Sequence, residues 1–173
     1  MNAFEFHCPT KIICGEGSLH KLPVKIADRG VTKPLIVTDA NLVKLGIAEQ
    51  VFAPLREADV NYSLYDHVPP DSSLKVVNEV ATLYREEKCD GWIALGGGSV
   101  IDTAKGAAAS VSVGEKDFTD LQGSEILQDE LDPLIAIPTT AGTGSEVTLV
   151  AVSLGGNDAV SFGSRKAICG TKR

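Results

Sequence analysis

The sequence predicts an α/β fold with a parallel sheet and helices on both faces. Three observations predict it. Short apolar runs alternate with longer stretches of helical period. A triple glycine, Gly96-Gly97-Gly98, separates one apolar run from the helix after it. A second loop, rich in glycine and hydroxyls, follows the next run. Alternation of strand and helix implies right-handed crossovers between parallel strands.

Taken in order, Phe4 to Cys14 reads as an additional amino-terminal edge hairpin. Pro34 to Asp39 is an apolar buried strand ending on a polar pair, followed by a helical segment over 40–58 that breaks near Gly46 and Pro54. Val60 to Asp66 alternates apolar and polar, as a strand with one covered face does. His67-Val68-Pro69-Pro70-Asp71 cannot continue a ladder and is a loop. Leu74, Val77, Val80, Ala81 and Tyr84 share one face of a helix over 72–88. Gly91 to Leu95 is a third strand and Ser99 to Val113 a helix whose alanines allow close approach to a sheet. Leu134 to Pro138 is a fourth strand and 147–154 a fifth. Beyond Leu154 a Gly155-Gly156-Asn157-Asp158 turn opens a stretch with neither period.

The chain has 173 residues, 43% hydrophobic and 23% charged, which excludes disorder from low hydrophobicity and suits one domain. Its net charge of -7 argues against a nucleic-acid footprint or docking on an anionic membrane. No stretch approaches the ~20 apolar residues of a membrane span. The first residues lack the basic start and apolar run of a secretory signal. Cys8, Cys14, Cys89 and Cys169 form no C-x-x-C pair, and reduced thiols in a cytoplasmic protein are the expectation. The last nine residues carry Arg165, Lys166, Lys172 and Arg173 without an acid. Residues 1–154 are expected to form one domain, for which its two glycine-bearing loops point to dinucleotide binding, and 155–173 a divergent, poorly ordered basic tail.

The glycine loop carries the chemistry. Glycines between a buried strand and a helix let the main chain approach a ligand, and the helix start offers amides and a positive dipole end to an anion. Ser99 and Asp102 have S-x-x-D spacing, which suits a cap at that start. The pattern is neither G-x-G-x-x-G nor a Walker loop, so P-loop ATP hydrolysis is disfavoured. The second loop, Pro138 to Thr148, offers hydroxyls and two glycines suited to phosphate, ribose and adenine edges. Each loop taken singly also reads as a tight turn satisfying its own backbone. Asp39, at a strand end, suits ribose hydroxyls and repels a 2′-phosphate, and equally suits capping the helix that follows.

Gly96 to Gly106 together with Pro138 to Thr148 resembles the iron-containing (group III) alcohol dehydrogenases. Pro9 to Ile13 with Gly15, and Val37-Thr38-Asp39, extend the likeness, which covers roughly residues 4–152. The resemblance implies the amino-terminal, Rossmann-like nucleotide-binding domain of that family, with a fold like that of dehydroquinate synthase. It implies NAD as cofactor, selected over NADP by Asp39. Gly97, Gly98 and Ser99 would hold the pyrophosphate, with Asp102 ordering the helix beneath. Asp71, where many members have Asn, would sit near the cofactor. Thr139 and Thr140 would contact the adenine side, Thr148 and Val150 the nicotinamide side.

Members continue into a helical domain whose Asp and three His hold a divalent metal, iron or zinc. His7, His20 and His67 match none of those ligands. Ser161 stands near where members carry a lysine, and from Ser153 the likeness fades. The expectation is thus the NAD-binding half of a metal-dependent alcohol dehydrogenase, inactive alone, without the metal-binding domain, with homodimerisation open. A non-catalytic nucleotide or phosphosugar module, or the glycerol dehydrogenase and dehydroquinate synthase branch, are the alternatives.

Overall fold

The computed structural model describes residues 10–114 and 131–148, and the backbone of 150–155, 158–163 and 168–169. A 3-10 turn, Ser18–Lys21, leads into α1, Leu22–Ala27. Then follow β1 (Pro34–Val37), α2 (Ala40–Lys44), α3 (Glu49–Glu57), β2 (Ser63–Tyr65), α4 (Leu74–Glu86), β3 (Gly91–Gly96), α5 (Gly98–Ser112) and β4 (Leu134–Pro138). The chain closes with β5 (Val150–Gly155), β6 (Asp158–Gly163) and β7 (Ile168–Cys169).

The main sheet has the order β2-β1-β3-β4-β7, and every neighbouring pair is parallel. Its central strands are wholly buried because both faces are covered. Leu35, Val37, Trp92, Ala94, Leu134 and Ala136 pack on α4 and α5. Their neighbours Ile36, Ile93, Leu95, Ile135 and Ile137 point the other way, onto α1, α2 and α3. The period-2 alternation of each strand thus divides one sheet between two cores. From β1 the chain passes to β2 on one side, whereas β3 connects to β4 on the other. That divergence makes a switch point between β1 and β3, where crevices form outside the carboxyl ends of the strands.

Several expectations are refined. The 40–58 helix does break at Gly46, whose φ of 73° suits glycine. It does not break at Pro54, which lies within α3 on the buried side. The 147–154 strand exists as β5 but pairs antiparallel with β6 rather than joining the parallel sheet. Within 155–173, β6 and β7 are formed, and β7 supplies the fifth parallel strand beside β4. These short segments lack an apolar period and take strand form through pairing. The hairpin expected over 4–14 falls largely outside the described residues, and 10–14 carry no strand.

Two polar ties set the start of β3. Asp90 accepts from the Thr32 amide at 2.8 Å, the Thr32 hydroxyl at 2.6 Å and the Lys33 amide at 2.8 Å. Partial burial raises this carboxyl, but the Thr32 hydroxyl and the amide donors outweigh it and hold it below the ordinary value. The stabilisation is therefore present above the unfolded carboxylate range and is lost as pH falls through the folded value. Trp92 stacks on Tyr84 at 3.9 Å, and the Tyr84 hydroxyl donates to Asp132 at 2.6 Å. Burial first, then that hydrogen bond, push the Tyr84 phenol up, so it remains a donor.

A Cβ added at Gly91 would stand 2.6 and 2.7 Å from the two Val31 methyls. Gly91→Ala is expected to cost about 1–3 kcal/mol, with most regained in Gly91→Ala/Val31→Ala. Denaturant unfolding followed by the emission of Trp92, the single tryptophan of the chain, measures both.

Candidate nucleotide-binding site

The register of β3 against β4 pairs Gly96 with Pro138, so the loops leaving both strands emerge side by side. The Thr139 amide donates to the Gly96 carbonyl at 3.0 Å and joins them. What keeps them close is the absence of side chains on the glycines. A Cβ at Gly97 would stand 3.1 Å from Thr140 Oγ1. One at Gly98 would stand 3.3 Å from Ser145 Oγ and 3.4 Å from Thr143. Here glycine serves close approach, since Gly97 has an ordinary φ of -80°.

α5 begins at Gly98 with Gly97 as its N-cap, and no side chain caps it. The amides of its first turn thus have neither an intrahelical partner nor a capping side chain. The expected Ser99–Asp102 cap is not formed. The helix starts one residue earlier than Ser99, which places Ser99 inside the first turn. Its hydroxyl instead accepts from the Asp71 amide at 3.3 Å, tying the β2–α4 loop to the helix start. Asp71 holds a φ of 52°, a left-handed conformation that Asp tolerates. Asp102 lies on the next turn of α5, buried, with its Oδ1 3.7 Å from Lys105 Nζ.

Across the switch point, Thr38 fixes the end of β1. It is fully buried, its hydroxyl donates to the Leu95 carbonyl at 2.8 Å, and its amide donates to the Tyr65 carbonyl at 2.8 Å. Asp39 follows at once and caps α2, its Oδ1 accepting from the Asn41 amide at 2.9 Å and the Leu42 amide at 3.1 Å. The cap reading of Asp39 is therefore realised, and the same residue lines the crevice.

A cleft of about 860 Å³ occupies this crevice. Asp39, Gly97, Gly98, Ser99, Thr139 and Thr140 all line it. Asp71 adjoins it through Ser99, whereas Asp102 and Thr148 are not among its lining residues. Thr148 ends the loop, where its hydroxyl accepts from Lys105 Nζ at 3.1 Å. Val150 begins β5. Sequence reasoning missed His67, Val68 and Pro69, which also line the cleft. Their position just after β2 was the available signal, because residues outside strand carboxyl ends border such crevices. Among the described residues, no cluster of three His, Cys, Asp or Glu could hold a metal ion. No helix among them is long and apolar enough to cross a membrane.

Fold and cleft define a doubly wound, Rossmann-like domain with an uncapped helix start at its switch point. The sequence matches the iron-containing alcohol dehydrogenase family over residues 9–169, and the chain belongs to that family. It is 42% identical over 149 residues to choline dehydrogenase of Bacillus subtilis (strain 168), covering 85% of this chain and 37% of that protein. It is 35% identical over 147 residues to the NAD-dependent methanol dehydrogenase of Bacillus methanolicus, covering 85% and 38%. Among solved structures, 1,3-propanediol oxidoreductase superposes with a TM-score of 0.91 at 28% identity, covering 99% of this chain and 46% of that one. The chain thus spans less than half the length of these relatives and corresponds to the amino-terminal half of the family fold. The family match continues past residue 153 to 169.

The glycines should differ in what they protect. A Cβ at Gly96 would meet Val100 at 2.6 Å, against backbone-proximal atoms that cannot swing aside. Gly96→Ala is expected to cost about 1–3 kcal/mol in denaturant unfolding. Gly97→Ala, facing one rotatable hydroxyl, should cost less than about 1 kcal/mol.

Proposed function

We propose that this chain binds NAD in the β1/β3 crevice and is the cofactor-binding half of a metal-dependent alcohol dehydrogenase. The observation that carries the reading is the abutment of the two loops at the uncapped start of α5, with Asp39 across the cleft. The amides of Gly98 and Ser99 would hold the pyrophosphate, and Gly97 lets it approach the main chain. Asp39 would accept from the adenosine ribose hydroxyls and repel a 2′-phosphate. Thr139 and Thr140 would supply hydroxyls for the adenine side; Val150 would belong to the nicotinamide side, where Thr148 would hold the loop in place rather than touch the cofactor itself. The tie from Ser99 to Asp71 orients the β2–α4 loop over the cofactor.

NAD held there would supply the hydride acceptor for oxidation of an alcohol to an aldehyde or ketone, with release of a proton. Among the described residues, no group of three His, Cys, Asp or Glu could hold the family metal. Alcohol oxidation by this chain alone is therefore not expected. The free thiols of Cys14 and Cys89 agree with a cytoplasmic setting.

Asp39→Asn separates the two roles of that residue, since Asn caps a helix about as well as Asp but carries no charge. Calorimetric titration should show the wild-type chain preferring NAD over NADP by about tenfold or more, near 1.4 kcal/mol. The variant should lose most of that preference while melting within about 1 kcal/mol of wild type. Absence of heat with NAD, or equal affinity for NAD and NADP in the wild type, would refute the assignment.

A further inference from the structure

We propose that Lys105 is a positioning residue for the nucleotide cleft: its buried ammonium joins Asp102 to Thr148 and so ties the 139–148 loop to α5. The consequence for the cofactor rests on the NAD-binding reading above, while the tie itself does not.

α5 carries no charged residue besides Asp102 and Lys105, and it buries Val100, Ile101, Ala104, Ala107 and Ala108 in the core. Within it, Asp102 and Lys105 are each only 9% exposed. Burying charge costs heavily unless partners compensate. Lys105 Nζ lies 3.7 Å from Asp102 Oδ1, one turn earlier on the same helix, and donates to Thr148 Oγ1 at 3.1 Å. This hydrogen bond spans 43 residues of sequence. The Thr148 hydroxyl in turn lies 3.4 Å from the Ser145 carbonyl, which accepts from it. Ser145 is itself buried, and its Oγ faces the Cβ position of Gly98 at 3.3 Å. The contacts form a circuit: from Gly98 along α5 to Lys105, across to Thr148, back through Ser145, and again to Gly98. Its effect is to hold the hydroxyl loop at a set distance from the first turn of α5.

Stability does not explain the pair. A buried ion pair replaced by apolar or neutral groups of similar volume is often neutral or stabilising. A methionine at 105 would fill the same space without desolvating a charge. What methionine cannot do is donate to Thr148. The geometry therefore gives the ammonium a local task, and local tasks appear in local opening rather than in global unfolding.

The Val147 and Thr148 amides donate to the Gly144 carbonyl at 3.0 and 3.1 Å, so their hydrogen exchange reports opening of the turn that carries Thr148 to Lys105. Exchange is measured on the full chain without nucleotide, for wild type, Thr148→Val and Lys105→Met/Asp102→Asn. Thr148→Val leaves the ion pair intact, and the double variant removes both charges, so neither strands a lone buried charge. Both are expected to speed exchange at these two amides by about tenfold or more, as loss of a charged hydrogen bond implies. Amides of β1 and β3 should keep wild-type rates. Unchanged exchange at 147 and 148 overturns the proposal. So does a rise spread evenly through β1 and β3, the mark of a merely structural role.

Calorimetry with NAD completes the test. Both variants should bind roughly tenfold more weakly than wild type, and combining all three substitutions should weaken binding no further, since they remove one tie. Additive losses would assign Thr148 a separate contact and overturn the positioning role. Wild-type affinity in loosened variants would do the same. If the wild type takes up no NAD, the cofactor reading fails, and the exchange data alone decide whether Lys105 ties the loop.

Discussion

The structure depends on how closely two loops meet at the start of α5. Gly97 and Gly98 carry no Cβ, so Thr140, Thr143 and Ser145 can stand where side chains would otherwise project. The β3–β4 register brings the loops to one level, and the Thr139 amide locks them to the Gly96 carbonyl. The first turn of α5 is left without a capping side chain. Backbone donors are thereby gathered at one strand edge, and the positive end of the helix adds to them.

Around that contact, the two-sided core places the crevice. α4 and α5 cover one face of the sheet and α1 to α3 the other, so the connections from β1 and β3 leave in opposite directions. The gap opens where they part. Asp39 sits on its far side because Thr38 is anchored to both neighbouring strands. A single carboxylate thus caps α2 and borders the cleft. Beneath the glycines, Asp102 and Lys105 bring charge into an otherwise uncharged helix, and their connection leads back to the hydroxyl loop.

Membership of the iron-containing alcohol dehydrogenases sets this chain beside proteins named for choline, methanol and 1,3-propanediol. These differently named proteins share one family fold with this chain, of which it spans less than half.

Apolar runs and helical spacing located β1, β3, β4, α4 and α5, because burial on a sheet or helix face imposes those periods directly. The glycine loop and its hydroxyl-rich companion were legible for the same reason, since close backbone approach demands particular residue types. The Ser99–Asp102 cap was not: spacing does not say which residue begins a helix, and Gly97 took the position. β6 and β7 were hidden because pairing partners, not their own pattern, make them strands. Only the folded chain could set His67 and Thr140 on one cleft, or Lys105 against Thr148, because separations of tens of residues are closed by packing and leave no trace in local order.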